Sequence, residues 1–185
     1  MTLRIELVPI PADGAPWANA DNLPQAAVGA LAATEELYRE GGYQPPWIGY
    51  LAEENGFYVG ACAFKSVPDD GQVEIAYFTF PGHEGRGVAT QMVRSLLHLA
   101  TTARPDVTLT AETLPEENAS TTILRRAGFE RAGQREDPVD GTVWRWRLRP
   151  GARPSPSTCH SIGRPGVQPS DPRGGSAPRV DRWPL

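Results

Sequence analysis

The sequence predicts a mixed α/β fold built on one sheet, antiparallel at first and carrying a parallel strand pair near its centre. Three observations predict it. Two tight-turn signatures, Glu54-Asn55-Gly56 and Pro68-Asp69-Asp70-Gly71, join three strand-like runs into a meander. After Phe80 the hydrophobic period changes from two to helical. A strand, a helix and a strand then follow with no hairpin signal between them, which requires a right-handed crossover and a parallel pair.

Each element has its own justification. Leu3 to Pro9 reads as a short strand because Leu3, Ile5 and Leu7 alternate with polar neighbours. A helix is expected from about Pro24 to Arg39, with an alanine-rich interior that favours helix and Gly41-Gly42 to stop it. WIGYLAE, FYVGACAF and VEIAYFTF are the meander strands. The next helix opens at about Val88. It buries Ala89, Met92, Val93, Leu96, Leu97 and Ala100, with Gln91, Arg94, Ser95 and His98 opposite. Val107 to Glu112 is the following strand, and a helix from about Ala119 to Ala127 ends at Gly128, where a left-handed cap is wanted. The last strands are Phe129 to Ala132 and Thr142 to Leu148, the latter with Trp144, Trp146 and Leu148 on one face and Arg145 and Arg147 on the other. Residues 150–185, rich in Pro, Gly, Ser and Arg, show no hydrophobic period and read as a disordered tail behind a domain of residues 1–149.

Composition narrows the function classes. A formal net charge of −4 leaves no basic footprint for nucleic acid. Arginines outnumber acids beyond Pro150, so the folded part is more acidic than the total, and an acidic body favours cationic ligands such as amines. Cys62 and Cys159, in unlike settings, make neither a disulfide framework nor a metal site, which points to a reducing cytoplasm. No apolar segment of signal-peptide length opens the chain, and no run approaches the ~18 apolar residues a membrane span needs.

The chemistry concentrates in VEIAYFTFPGHEGRGVATQMV, where a strand ends, a glycine-bearing loop follows and a helix opens. A helix N-terminus offers unpaired N–H groups and a positive dipole end to a phosphate. Gly85 and Gly87 let an anion approach those amides, and Arg86 can add a fixed charge. An ordinary strand-to-helix loop is the plainer reading of Gly-x-Gly alone.

The run Glu84, Gly85, Arg86, Gly87, Val88, Ala89 resembles the acetyl-CoA motif of the GNAT superfamily of N-acetyltransferases. The strand before it with Glu74 at its second position, the helix after it and the closing ENASTTILRRAGF match that superfamily in order and spacing, in the branch of ribosomal-protein N-terminal acetyltransferases. The resemblance implies helices on both faces of the sheet and a central parallel pair splayed around the pantetheine arm of acetyl-CoA. It implies a cofactor site at Phe78, Thr79 and Phe80 on the strand, Glu84, Gly85, Arg86, Gly87, Val88, Ala89 and Thr90 at the loop and helix, and Asn118 and Ser120 at the second helix. It further implies direct acetyl transfer, without a metal, to a primary amine on a small molecule or a peptide N-terminus. Glu74 is the general base and Ser120 a second catalytic group, in a monomer or homodimer. The acceptor would lie near Tyr38, Tyr43, Trp47 and Glu112.

The sequence departs from the family pattern at three places. Glu84 stands where Gln or Arg is usual, Asn118 lies two rather than three residues before Ser120, and Leu124 occupies the place of the usual general-acid tyrosine. These departures keep open a non-catalytic acyl-CoA-binding sensor or interaction module. Several residues also carry a second reading: Glu74 as a surface acid, Ser120 and Asn118 as helix-start hydrogen bonders, Glu112 as a solvated acid, and Tyr38, Tyr43 and Trp47 as packing. Packing also explains Trp144 and Trp146 better than base stacking does.

Overall fold

The computed structural model describes residues 4–13 and 23–151, so the expected tail beyond Gly151, with Cys159 and His160, lies outside the described residues. Seven strands form one sheet in the order β1-β2-β3-β4-β5-β7-β6. They are β1 (Glu6–Pro9), β2 (Gly49–Glu54), β3 (Phe57–Phe64), β4 (Gln72–Thr79), β5 (Thr108–Thr113), β6 (Glu130–Asp137) and β7 (Gly141–Leu148), with helices α1 (Gln25–Gly41), α2 (Val88–Ala103) and α3 (Ala119–Arg126) between them. Every adjacent pair is antiparallel except β4–β5, which α2 connects as a crossover.

Turn chemistry sets the meander. Asn55 and Gly56 adopt φ of 52° and 83°, and Asp70 and Gly71 adopt 46° and 69°, the paired positive angles of a turn that matches the twist of its strands. α1 runs on to Gly41, and Gly42, at φ 78°, receives the cap by donating its N–H to the Tyr38 carbonyl. The Tyr38 hydroxyl donates to the Ile10 carbonyl at 2.8 Å and accepts from the Gly49 N–H at 3.0 Å, which pins α1 to the start of β2.

Two cores lie on opposite faces. On one, Ala27, Ala30 and Ala33 of α1 pack against Leu51, Ala61, Ala63 and Phe80. On the other, Met92, Val93 and Leu96 of α2 and Leu124 of α3 pack against Val73, Ile75, Leu109, Ala111 and Trp146. Side chains as fully buried as Met92 and Leu96 each contribute roughly 1.5–3 kcal/mol. Gly60 allows α2 to come close: a Cβ there would stand 2.8 Å from the Phe78 carbonyl oxygen and 3.0 Å from Met92 Cε. Cys62 is fully buried and burial pushes its thiol up, so it packs rather than reacts. Among the described residues no helix is long and apolar enough to cross a membrane, and no cluster of His, Cys, Asp and Glu could hold a metal ion.

Candidate active site

β4 and β5 are register partners only over Gln72–Glu74 and Thr108–Thr110, although β4 continues to Thr79 and β5 to Thr113. Beyond Glu74 the two strands therefore part. Lys65 donates its N–H to the Glu74 carbonyl and Phe80 donates to the Val59 carbonyl, so the even-numbered residues of β4 turn their backbone groups toward β3. The backbone of Ile75, Tyr77 and Thr79 consequently faces the gap. An extended arm in the gap would meet Tyr77 and Thr79. Phe80, expected in the site, is instead buried in the core on the α1 side with its amide used in β3 pairing.

Along the end of β4 that has parted from β5 lies a cavity of about 420 Å³, lined from three directions. β4 supplies Tyr77, Phe78 and Thr79, and the following loop supplies His83, Glu84, Gly85 and Gly87. Val88, Ala89 and Thr90 come from the first turn of α2, and Ala119, Ser120, Ile123 and Arg126 from α3. Gly87 sits at the α2 N-cap with φ 91°, and no side chain caps that end. Gly85, at φ 72°, has open space where a Cβ would be. The first-turn amides of α2 are thus left to whatever enters the cavity, which is the arrangement that receives a phosphate.

α3 is different at its start. The Asn118 side chain accepts the Thr121 N–H at 3.1 Å, the Thr121 hydroxyl accepts the Asn118 N–H at 3.0 Å, and together they close a capping box. Asn118 therefore caps its helix and does not line the cavity, whereas Ser120 does.

Two charges in the loop are tied within the protein. The Glu84 carboxylate accepts the Gly82 N–H at 2.7 Å, folding back on its own loop at the cavity wall. Arg86, expected to face the cradle, sends its guanidinium to Glu54 at 2.7 Å and contacts His83 Nδ1 at 3.2 Å. The cation on the cavity wall is Arg126. Its distance in sequence from the glycine loop conceals it; the only local signal is a basic residue in the last turn of α3.

Tyr77 is the other residue that sequence reading passed over. Its hydroxyl donates to the Ser120 carbonyl at 3.4 Å, and burial pushes its ionisation up to about 12, so it is a neutral donor at ordinary pH. Glu74 leaves the other face of β4, with Ala76 and Phe78. There it meets Lys65, whose Nζ lies 2.5 Å from Oε1, so the acid is not set among apolar groups alone.

The expected acceptor residues separate. Tyr38 is taken up by its structural hydrogen bonds. Tyr43 is exposed, edge-on to Tyr38 at 5.3 Å, and Trp47 packs edge-on to Phe64 at 5.0 Å. Glu112 is not solvated: its side chain is 4% exposed and takes a two-pronged contact from Arg135 at 2.6 and 2.7 Å, with Arg145 at 3.8 Å. A carboxylate so engaged is a structural anion and a poor candidate for an alternative base.

The profile of the acetyltransferase (GNAT) domain matches residues 7–130. Among curated proteins none matches significantly. Among solved structures, the chain is similar to the ribosomal L7/L12 alpha-N-protein acetyltransferase RimL in complex with coenzyme A. That match has a TM-score of 0.61 and 15% identity, and covers 83% of this chain and 97% of the other. It is also similar to RimJ of Mycobacterium smegmatis in complex with CoA-disulfide, at a TM-score of 0.54 and 20% identity over 65% of this chain and 59% of that one. The microcin C7 self-immunity acetyltransferase MccE, in complex with acetyl-CoA and AMP, matches with a TM-score of 0.54 and 11% identity, over 67% and 70% of the two chains. Likeness at these identities establishes the shared fold.

Proposed function

Because the chain belongs to the acetyltransferase (GNAT) domain family and is an acetyl-CoA-dependent N-acetyltransferase, we propose that it acetylates a primary amine with Glu74 as general base. Acetyl-CoA supplies the activated acetyl group. The observation that carries the reading is the cavity enclosed by the end of β4, the start of α2 and α3. It has an uncapped helix N-terminus at one end and a strand backbone with free edges along its length.

In this reading the amides of Val88, Ala89 and Thr90 hold the diphosphate, and Arg126 adds a cation to it. Gly85 and Gly87 keep side chains out of that approach. Tyr77 and Thr79 pair through their backbone with the extended arm as a strand would. A backbone N–H facing the gap also stands where negative charge develops on the carbonyl oxygen under attack. Glu74, on the face opposite Tyr77, removes a proton from the acceptor ammonium, directly or through a water. Tyr77 and Ser120 stand on the leaving side: the Tyr77 hydroxyl turns its one proton from the Ser120 carbonyl, 3.4 Å away, to the departing sulfur, and the Ser120 hydroxyl donates beside it, the role that the Leu124 position does not supply. Acceptor chemistry is a small amine or a peptide N-terminus.

The test is release of free CoA thiol from acetyl-CoA across a panel of amines, with a thermal melt of the same protein. Amine-dependent release and a melt raised by CoA support the reading. A melt raised by CoA without release for any amine favours a non-catalytic acyl-CoA-binding module. No change in either sinks both.

A further inference from the structure

The sequence contains a single lysine, Lys65; every other side-chain cation of the Lys/Arg class is an arginine. Its ammonium lies on Glu74, with Nζ 2.5 Å from Oε1 and the two side chains only 20% and 26% exposed. The pairing follows from the sheet. Lys65 donates its N–H to the Glu74 carbonyl at 2.8 Å across the β3–β4 edge, so the two residues are cross-strand partners on one face. A pair held this way is more fixed than an exposed ion pair between long side chains. It also reproduces the arrangement a general base requires of its acceptor, a primary ammonium in hydrogen-bond contact with the carboxylate.

We propose that Lys65 is an internal acceptor, a self-acetylation site whose modification releases Glu74 to serve external amines. The proposal rests on the reading of Glu74 as base. Glu74 takes one proton from the Lys65 ammonium, and the freed nitrogen lone pair forms a C–N bond with the acetyl carbon. The C–S bond breaks and its electron pair leaves with the CoA sulfur, while the second amine proton is lost to water. The departing thiolate takes up the proton held by Glu74 and leaves as the thiol; the product is a neutral amide, so the salt bridge disappears and the regenerated carboxylate is left to attract another ammonium. Arginine cannot substitute in this chemistry because its guanidinium stays protonated. Lys65 is thus the one side-chain amine in the chain that can record the reaction.

The experiment incubates the full chain with isotopically labelled acetyl-CoA and no acceptor, and reads intact mass and the labelled peptide by tandem mass spectrometry. The expected result is one acetyl group on Lys65, appearing about 100-fold faster than in Glu74→Gln, where only uncatalysed transfer remains. With an amine acceptor added, wild-type turnover should show a lag that Lys65→Gln, which carries a neutral amide already, lacks. Lys65 found unmodified after many acceptor turnovers, or labelled as fast in Glu74→Gln or in unfolded protein, overturns the proposal. Acceptor turnover by Glu74→Gln is measured alongside. If it is lost while wild-type Lys65 stays unlabelled, self-acetylation alone fails; if it is unchanged, the base assignment falls and the proposal with it.

Discussion

Glu74 and Tyr77, three residues apart on β4, project from opposite faces of the sheet. Glu74 meets Lys65 at 2.5 Å on the α1 side, and the Tyr77 hydroxyl reaches the Ser120 carbonyl at 3.4 Å on the other. The gap between β4 and β5 runs between them. Strand alternation alone produces this placement; in the proposed reaction it puts a proton acceptor on one side of the reacting carbon and a hydrogen-bond donor on the other.

Tyr77→Phe removes that donor and keeps the ring. One hydrogen bond of roughly 1.4 kcal/mol is about a tenfold effect. Turnover should fall by about that factor with acetyl-CoA affinity unchanged. Calorimetry with CoA against desulfo-CoA provides the second reading, because only the sulfur contact should weaken in the variant. Equal loss for both ligands would mean that Tyr77 merely shapes the wall.

Gly87→Val places a branched side chain at φ 91°, on the α2 N-cap and against the first-turn amides. CoA binding measured by calorimetry should vanish. The melting temperature without ligand separates this from unfolding: a folded variant that still binds CoA would remove the diphosphate from the α2 N-terminus.

Glu84→Gln keeps an oxygen for the Gly82 N–H and removes a negative charge from the cavity wall. CoA should bind more tightly, and the gain should shrink as salt rises because the charge is exposed and screened. Affinity that is unchanged at low salt would show that the carboxylate, folded onto its own loop, is not felt by the ligand.

How much of this was legible from sequence depended on whether the signal was local. β3 and the two meander turns could be read directly, since alternation and Asn-Gly or Asp-Gly chemistry are carried by neighbouring residues. β6 was expected to stop at Ala132 and runs to Asp137. Its outer residues, Arg131 to Glu136, are mostly charged or polar and exposed, so no apolar period marks it and only pairing with β7 holds it. The glycine cradle was visible for the same local reason as the turns. Tyr77, Arg126 and the Lys65 partner of Glu74 were not, because each enters the site through β-sheet register or through the docking of α3.

Stability should depend on alkaline pH with a definite sign. Burial pushes the Tyr38 and Tyr77 hydroxyls up to about 12, and pushes the Tyr50 hydroxyl and the Cys62 thiol up as well. An unfolded cysteine ionises near ~8.5 and an unfolded tyrosine near ~10, so the unfolded chain loses protons first as pH rises. The associated stability is complete below those values and is lost progressively above them. Denaturant midpoints should begin to fall near pH ~8.5 in the wild type and nearer ~10 in Cys62→Ala. An onset that does not move would assign the decline to another group.

Proton removal by Glu74 is tested most directly by the pH–rate profile of Glu74→Gln against wild type with a saturating amine. A lysine-type amine titrates near ~10.4 and an α-amine near ~7.7 to 8.0, so at pH 7 most acceptor molecules carry the proton that Glu74 is assigned to remove. The expected result is a loss of about 100-fold or more at pH 7, acetyl-CoA affinity within a few-fold of wild type, and partial recovery at high pH, where solution supplies free amine. Near-normal turnover by Glu74→Gln at pH 7 would mean that Glu74 does not remove that proton.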